Sequence, residues 1–372
     1  MRSSRILVVD DEPGMLHAIE RVLGGTHHVR ITGSSREAAS AAIDFKPELA
    51  ILDIRMPELD GFELMARLKA LQPDLDVILM TGSLEDQDEK LVRAIRGRAF
   101  YFIQKPFDRE VLRTLVERCL ELRWHREANR RHVHRLEAEL ADARAFQRGL
   151  LPAGETTIGR LAVCCRYTPC SELGGDLYDY AATASGGAAL LISDVAGHGA
   201  SAAMLTGIVK SAFRASHVDD YDPQSVVNRV WNGITAFSPE RFVTLVAAVV
   251  SPADGALTYV NAGHPPGLLW CGSTVTRLDG TGPLVSPVLP TPRWDQRSVK
   301  ITGGYHLLLY TDGVSDALAG DDDLGEGRIR AIITGHPDGG AALLDAIIAD
   351  VDRHGGHHPH RDDLTLVTVR IA

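Results

Sequence analysis

Leu49-Ala50-Ile51-Leu52-Asp53-Ile54-Arg55-Met56-Pro57 sets a short run of consecutive apolar residues directly against a carboxylate. Apolar residues without alternation predict a strand covered on both faces, the setting of a parallel sheet. Outward from this run, similar ones recur at Arg5 to Val9, Val29 to Thr32, Val77 to Met80 and Phe100 to Ile103, and the segments between them carry helical spacing. This βα alternation predicts an α/β, doubly wound parallel sheet whose ligand site lies at the carboxyl ends of the strands. Asp10-Asp11 follows the first run, Asp53 the third, Thr81 the fourth and Lys105-Pro106 the fifth, so all converge on that edge. Three carboxylates there make a hard oxygen site suited to Mg²⁺, which relieves their mutual repulsion. A carboxylate beside Mg²⁺ and a lysine can accept a phosphoryl group, because both cations neutralise charge on the equatorial oxygens. Asp also commonly caps a helix that follows a strand, so Asp10-Asp11 alone would say little.

The rest of the 372-residue chain is ordinary globular material, 45% hydrophobic and 24% charged, and its length suggests two domains. Lys and Arg total 39 against 49 Asp and Glu, a net charge of −10, which disfavours a nucleic-acid grip. No apolar stretch approaches the roughly 18 residues of a membrane helix, so a cytoplasmic, membrane-free protein is expected. Five cysteines (Cys119, Cys164, Cys165, Cys170, Cys271) form no C-x-x-C pair and no spaced framework, which disfavours disulfides and a zinc knuckle.

From Asp108 to Leu150 the chain turns long, charged and nearly free of Gly. One register of three- and four-residue steps runs through Leu112, Leu115, Cys119, Leu122, Arg126, Asn129, Val133, Leu136, Leu140, Ala143, Gln147 and Leu150, a coiled-coil pattern with a polar centre. A parallel homodimer through residues 108–150 and the receiver is one expectation, and a single amphipathic helix lying on its own domains is the other. Leu151-Pro152-Ala153-Gly154 ends the helix.

Beyond Pro152, β-branched runs at Leu161 to Arg166, Ala188 to Ser193, Phe242 to Ser251, Leu257 to Asn261, Tyr305 to Thr311 and Leu364 to Val369 alternate with Gly/Asp turns. Helical spacing is limited to about Ala200 to Arg214, Pro223 to Phe237 and Gly340 to His354, which predicts an α+β layered domain. Asp176, Asp194, Asp312 and the pair Asp362-Asp363 fall at separate strand ends, the pattern of a divalent-metal site. With no paired His or Cys, Mg²⁺ or Mn²⁺ is favoured over zinc. Two such ions bridged by one carboxylate lower the pKa of a shared water and clamp a phosphoryl group.

The first acidic set, with Asp53-Ile54-Arg55-Met56-Pro57 and Lys105-Pro106-Phe107, closely resembles the receiver domain of bacterial two-component response regulators over about residues 4 to 122. The resemblance implies a flavodoxin-like domain at 1–122. In it Asp53 takes a phosphoryl group from a cognate histidine kinase, Asp10 and Asp11 hold Mg²⁺ with Asp53, and Lys105 pairs with the phosphate. Thr81 and Phe102 would be the switch pair, and Lys105-Pro106 a cis peptide.

Five further strings, Gly174-Gly175-Asp176-Leu177-Tyr178-Asp179, Ser193-Asp194-Val195-Ala196-Gly197-His198-Gly199, Asn261-Ala262-Gly263-His264-Pro265-Pro266, Thr311-Asp312-Gly313-Val314 and Asp362-Asp363-Leu364-Thr365, resemble the metal-dependent type-2C protein phosphatases of the bacterial stress-response and sporulation branch. That resemblance covers about residues 145 to 372 and implies an αββα β-sandwich at 151–372. Asp194 would bridge two Mn²⁺ or Mg²⁺ ions, with Asp176 and the Val195 carbonyl on one side and Asp312 and Asp362 on the other, Asp362 rather than Asp363 being the expected ligand of its pair. Gly282-Pro283-Leu284-Val285-Ser286 and Asp316 depart from the usual family pattern, outside the ligands. Arg166 and Arg361 are the arginines considered for phosphate contact. His198 and His264 are either general acids or loop histidines held by hydrogen bonds. His354, His357, His358 and His360 read as a solvated turn rather than a metal site.

Together the resemblances imply a response regulator whose Asp53 phosphorylation controls a protein serine/threonine phosphatase acting on a phosphorylated anti-sigma-factor antagonist. The alternative class is a receiver-controlled scaffold that sequesters a regulator without catalysis. No basic recognition helix supports a DNA-binding output.

Overall fold

The structure is a computed structural model that describes residues 2–82, 99–197, 199–237, 241–319, 325–355 and 360–371. The chain forms two compact units, Met1–Leu136 and Glu137–Ala372.

In the first unit five parallel strands, β1 (Arg5–Val9), β2 (His28–Thr32), β3 (Leu49–Asp53), β4 (Asp76–Thr81) and β5 (Tyr101–Gln104), run in the order β2-β1-β3-β4-β5. The lack of alternation in the apolar runs follows from two covered faces. Ile6, Val8 and Ile51 pack with α1 (Pro13–Leu23) and the start of α4 (Arg109–Leu150), while Leu7, Val9 and Leu52 pack with α2 (Glu37–Phe45) and α3 (Gly61–Leu71). Asp60 caps α3 by accepting from the Glu63 N–H at 2.7 Å.

The 42-residue helix α4 uses the predicted register unevenly. Leu112 and Cys119 are buried in the first unit's own core, joined by Val116 and Leu120. Arg126, which interrupts the seam, donates both to Asp76 Oδ1 at 2.9 Å and to Oδ2 at 3.0 Å, and Arg130 pairs with Asp74 at 3.2 Å. Gln147, near the other end, is buried in the second unit. The apolar positions Leu122, at 37%, and Val133, Leu136 and Leu140, at 41–42%, stand exposed.

The second unit is a sandwich of two antiparallel sheets, ordered β14-β11-β10-β9-β8 and β13-β12-β15-β16-β7-β6. The first holds β8 (Asp176–Ala182), β9 (Ala188–Val195), β10 (Val243–Ser251), β11 (Ala256–Ala262) and β14 (Arg297–Lys300). The second holds β6 (Glu155–Ile158), β7 (Leu161–Thr168), β12 (Gly267–Cys271), β13 (Thr274–Leu278), β15 (Tyr305–Tyr310) and β16 (Leu364–Ile371). Val163, Tyr178, Ile192, Val246, Leu307 and Val367 fill the space between the sheets. Helices α5 (Ala200–Ala215) and α6 (Pro223–Phe237) cover one outer face, and α7 (Asp312–Leu318), α8 (Glu326–Gly335) and α9 (Gly340–Gly355) cover the other.

Helical structure exceeds the three predicted segments by α7 and α8. Seven residues are too few for α7 to show a helical period, and Gly and polar residues dilute it in α8. Asp312 therefore opens a helix rather than closing a strand. Among the described residues no helix is long and apolar enough to cross a membrane.

Candidate functional site

At the carboxyl edge of the parallel sheet, Asp10 and Asp53 are buried and Asp11 is exposed, and each offers an oxygen within 4.8 Å of the other two. Lys105 Nζ donates to Asp10 Oδ2 at 2.6 Å and lies 3.0 Å from Asp53 Oδ1. Burial raises the Asp53 carboxyl above its ordinary pKa, against the Lys105 hydrogen bond. Burial opposes the Lys105 charge, but hydrogen bonds to Asp10 and Asp53 outweigh it and raise the ammonium pKa. Three carboxylates against one ammonium leave negative charge in excess, which suits a hard divalent cation. Thr81 is buried at the end of β4, Phe102 is half-buried in β5, and Lys105-Pro106 is cis.

In the sandwich, β8 and β9 place Asp176 directly opposite Asp194. Asp176 Oδ2 accepts from the hydroxyls of Thr365 at 2.5 Å and Thr311 at 2.8 Å, so the second sheet orients a carboxylate of the first. Asp363 is engaged by the backbone: it accepts from the N–H groups of Gly175 at 2.6 Å, Cys170 at 2.8 Å and Asp176 at 3.3 Å. Asp362 accepts from the Asp363 N–H at 2.8 Å, and Asp312 sits half-buried at the start of α7. Two glycines permit the crowding. A Cβ on Gly175 would lie 2.5 Å from the Val195 carbonyl oxygen, and one on Gly313 would lie 2.2 Å from that of Asp363.

The electrostatics separate two kinds of buried aspartate in one strand. Asp179 is neutralised from α5 by Lys210 at 2.8 Å and by Arg214. Among the described residues no cationic side chain pairs with Asp176, Asp194, Asp312 or Asp362. Burial and then Asp194 hold the Asp176 carboxyl well above the ordinary range. Burial, then Asp312, Asp362 and Asp363, push Asp194 up to about 7, and burial followed by Asp362 and Asp316 raises Asp312. A carboxylate set that runs from buried Asp176 through half-buried Asp194 and Asp312 to exposed Asp362, with no cation among the described residues, has the donor chemistry of a hard-metal site. No three of these acids meet the 4.8 Å spacing of the Asp10, Asp11 and Asp53 set.

Several contributors carried no sequence signal. Thr311 and Thr365 were readable only as motif neighbours of Asp312 and Asp363. Gln147, a coiled-coil position by register, donates from Nε2 to the Gly174 carbonyl at 2.7 Å and accepts from its N–H at 3.2 Å. Arg166 is engaged by Asp345 at 2.9 Å and Glu155 at 3.3 Å, so its charge is already matched, whereas Arg361 is exposed. His264 is buried rather than solvent-facing, and burial drives its imidazole down to about 3, too low for a general acid at neutral pH. His198, His357 and His358 lie outside the described residues.

The model of the stage II sporulation protein E family matches residues 184–372, half of the chain, and includes Asp194, Val195, Asp312 and Asp362. The chain belongs to that family. The response regulator receiver domain model matches residues 6–117, which include Asp10, Asp11, Asp53, Thr81 and Lys105. Asp176 precedes the matched part of the sporulation family model and is placed by its pairing with Asp194. Protein IcfG of Synechocystis sp. is 27% identical over 64% of this chain and 42% of its own length. Phosphoserine phosphatase RsbP of Bacillus subtilis is 28% identical over 55% of this chain and 51% of its own. The chain thus spans about two fifths to one half of these curated relatives. The SiaA-PP2C domain of Pseudomonas aeruginosa superposes with a TM-score of 0.57 at 22% identity, covering 65% of this chain and 99% of that domain, a likeness of fold.

Proposed function

We propose that this chain is a cytoplasmic response regulator whose receiver domain, phosphorylated at Asp53 by a histidine kinase, controls a metal-dependent protein serine/threonine phosphatase. The observation that carries the reading is the pair of buried Asp176 and half-buried Asp194, directly opposed across two strands and, among the described residues, given no cation. Asp194, Asp176 and the Val195 carbonyl, with Asp312 and Asp362, would hold two Mg²⁺ or Mn²⁺ ions. Bound there, the ions supply an activated water and a clamp for the phosphoryl group. The chain's own residues do the positioning. Thr311 and Thr365 fix one Asp176 oxygen and leave the other available, and Asp363 ties down the Gly174-Gly175-Asp176 turn through its backbone. In the receiver, Asp10, Asp11 and Asp53 would hold Mg²⁺, and Lys105 would follow the incoming phosphoryl group from its place between Asp10 and Asp53.

The substrate class is a phosphoserine or phosphothreonine protein. A phosphorylated anti-sigma-factor antagonist is the substrate we propose, in keeping with the phosphoserine phosphatase among the relatives. Regulation would run along α4: its first turns lie in the receiver core, and Gln147 holds the turn that carries Asp176. Homodimerisation through the exposed Val133, Leu136 and Leu140 seam would let two receivers set the position of that helix.

The test is Mn²⁺-dependent hydrolysis of a phosphoserine protein by the full chain and by Asp194→Asn, each with and without beryllofluoride as a phosphoryl mimic. Activity that is lost in the variant and altered by the mimic supports a receiver-gated phosphatase. No hydrolysis under any condition moves the weight to a scaffold that sequesters its partner.

A further inference from the structure

The loop Asn261–Pro266 bears a histidine that hydrolysis, as proposed above, does not use. The loop is firmly built: Asn261 Oδ1 accepts from the His264 N–H at 2.9 Å, the Asn261 N–H donates to Thr281 Oγ1 at 3.1 Å, and Gly263 takes a φ of 67° against Leu284. His264 is thereby buried with Nδ1 2.8 Å from the Thr244 hydroxyl oxygen. Its Nε2 is buried without a hydrogen-bond partner, and the Tyr310 backbone is the neighbour that favours a proton on the ring. With the proton on Nε2, Nδ1 accepts from the Thr244 hydroxyl.

Thr244 is the residue directly opposite Asp194 across the β9–β10 pair. Cross-strand partners stand on the same face with Cβ atoms roughly 5 Å apart, so one turn about the Thr244 side-chain bond would aim its hydroxyl at the Asp194 carboxylate. Among the described residues no hydrogen bond reaches that carboxylate, whereas Asp176 takes two from threonines.

We propose that His264 is a positioning residue: by accepting the Thr244 hydroxyl proton it keeps that hydroxyl off Asp194 and leaves both Asp194 oxygens to cations. The inference rests on the metal-site reading above. It makes the imidazole an electrostatic guard that acts through Thr244 and touches neither substrate nor metal.

The experiment is Mn²⁺ titration calorimetry on the full chain, comparing wild type with Thr244→Val, His264→Phe and the double variant. A hydroxyl bonded to a carboxylate competes with a cation for it, so His264→Phe should weaken Mn²⁺ binding about tenfold or more. Thr244→Val should bind as wild type does, and adding it to His264→Phe should restore the affinity. Loss of affinity in Thr244→Val alone, or no restoration in the double variant, overturns the proposal. Should His264→Phe fail to fold, ¹⁵N spectra of the wild type decide: an unprotonated Nδ1 is expected, and a protonated Nδ1 overturns it. Absence of Mn²⁺ binding by the wild type would instead remove the reading on which the proposal rests.

Discussion

Gln147→Leu tests whether α4 speaks to the metal site. The side chain closes two hydrogen bonds on Gly174, one from Nε2 to the carbonyl at 2.7 Å and one from the Gly174 N–H at 3.2 Å, and all four groups are buried. Leucine fills similar volume and removes both partners, leaving a buried N–H and a buried carbonyl unsatisfied. Each unsatisfied group costs about 1–3 kcal/mol, so the contact between helix and turn is worth roughly 2–4 kcal/mol after partial relaxation. If that contact transmits the receiver's state, about 2 kcal/mol of it carries a response of about 30-fold. The assay is phosphoserine-protein hydrolysis with and without beryllofluoride. Gln147→Leu is expected to abolish the response while retaining Mn²⁺-dependent turnover. Gln147→Glu keeps the acceptor for the Gly174 N–H but sets a carboxylate against the Gly174 carbonyl, and should lose most of the response. An undiminished beryllofluoride response in Gln147→Leu would refute the route through Gly174.

Without divalent ions the phosphatase portion should lose stability as pH rises. An acid whose folded-state pKa is raised stabilises the fold only while protonated, so the Asp194 contribution is complete below 3.8 and gone above about 7. That interval is worth on the order of 4 kcal/mol, and Mn²⁺ should abolish the slope; a melting temperature of the EDTA-treated chain that climbs from pH 4 to pH 7 would contradict this. Thr365→Val removes the shorter of the two hydroxyl bonds to Asp176 and is expected to lower Mn²⁺ affinity about 10–100-fold by calorimetry, with affinity at the wild-type level as the refuting result. Leu136→Glu with Leu140→Glu should convert a dimer to monomer in sedimentation while the far-UV circular dichroism stays unchanged, because in a single chain both side chains are exposed. A dimer that survives both substitutions would place the interface elsewhere.

The parallel sheet was legible because every strand is a short apolar run and each functional residue sits at a strand end, so one-dimensional order maps onto one edge of the sheet. The sandwich was legible in kind but not in number of elements. Seven-residue α7 cannot display a helical period, and the polar Arg297–Lys300 strand pairs along one edge only, with nothing in its composition to mark it. The long helix was ambiguous for a physical reason. A seam of apolar residues is the same in sequence whether a second helix or the chain's own domain covers it, and here the chain covers both ends while the centre is left open.

What sequence could not reveal is which buried carboxylates lack a partner. Asp176 and Asp179 lie three residues apart in one strand, and both belong to the string that resembles the phosphatases. An odd number of steps in a strand sends the two side chains to opposite faces. Asp179 thus meets Lys210 and Arg214 on α5, and its charge is spent on holding that helix to the sheet. Asp176 faces the other sheet, where it finds two threonine hydroxyls; another aspartate stands beside it on β9, and among the described residues no cation pairs with it. Hydroxyls orient a carboxylate without cancelling its charge, so among the described residues no cation compensates the field at Asp176 and Asp194. The distinction between a structural ion pair and a metal ligand is therefore written in which layer each face of β8 meets, and that follows only once the strands are paired.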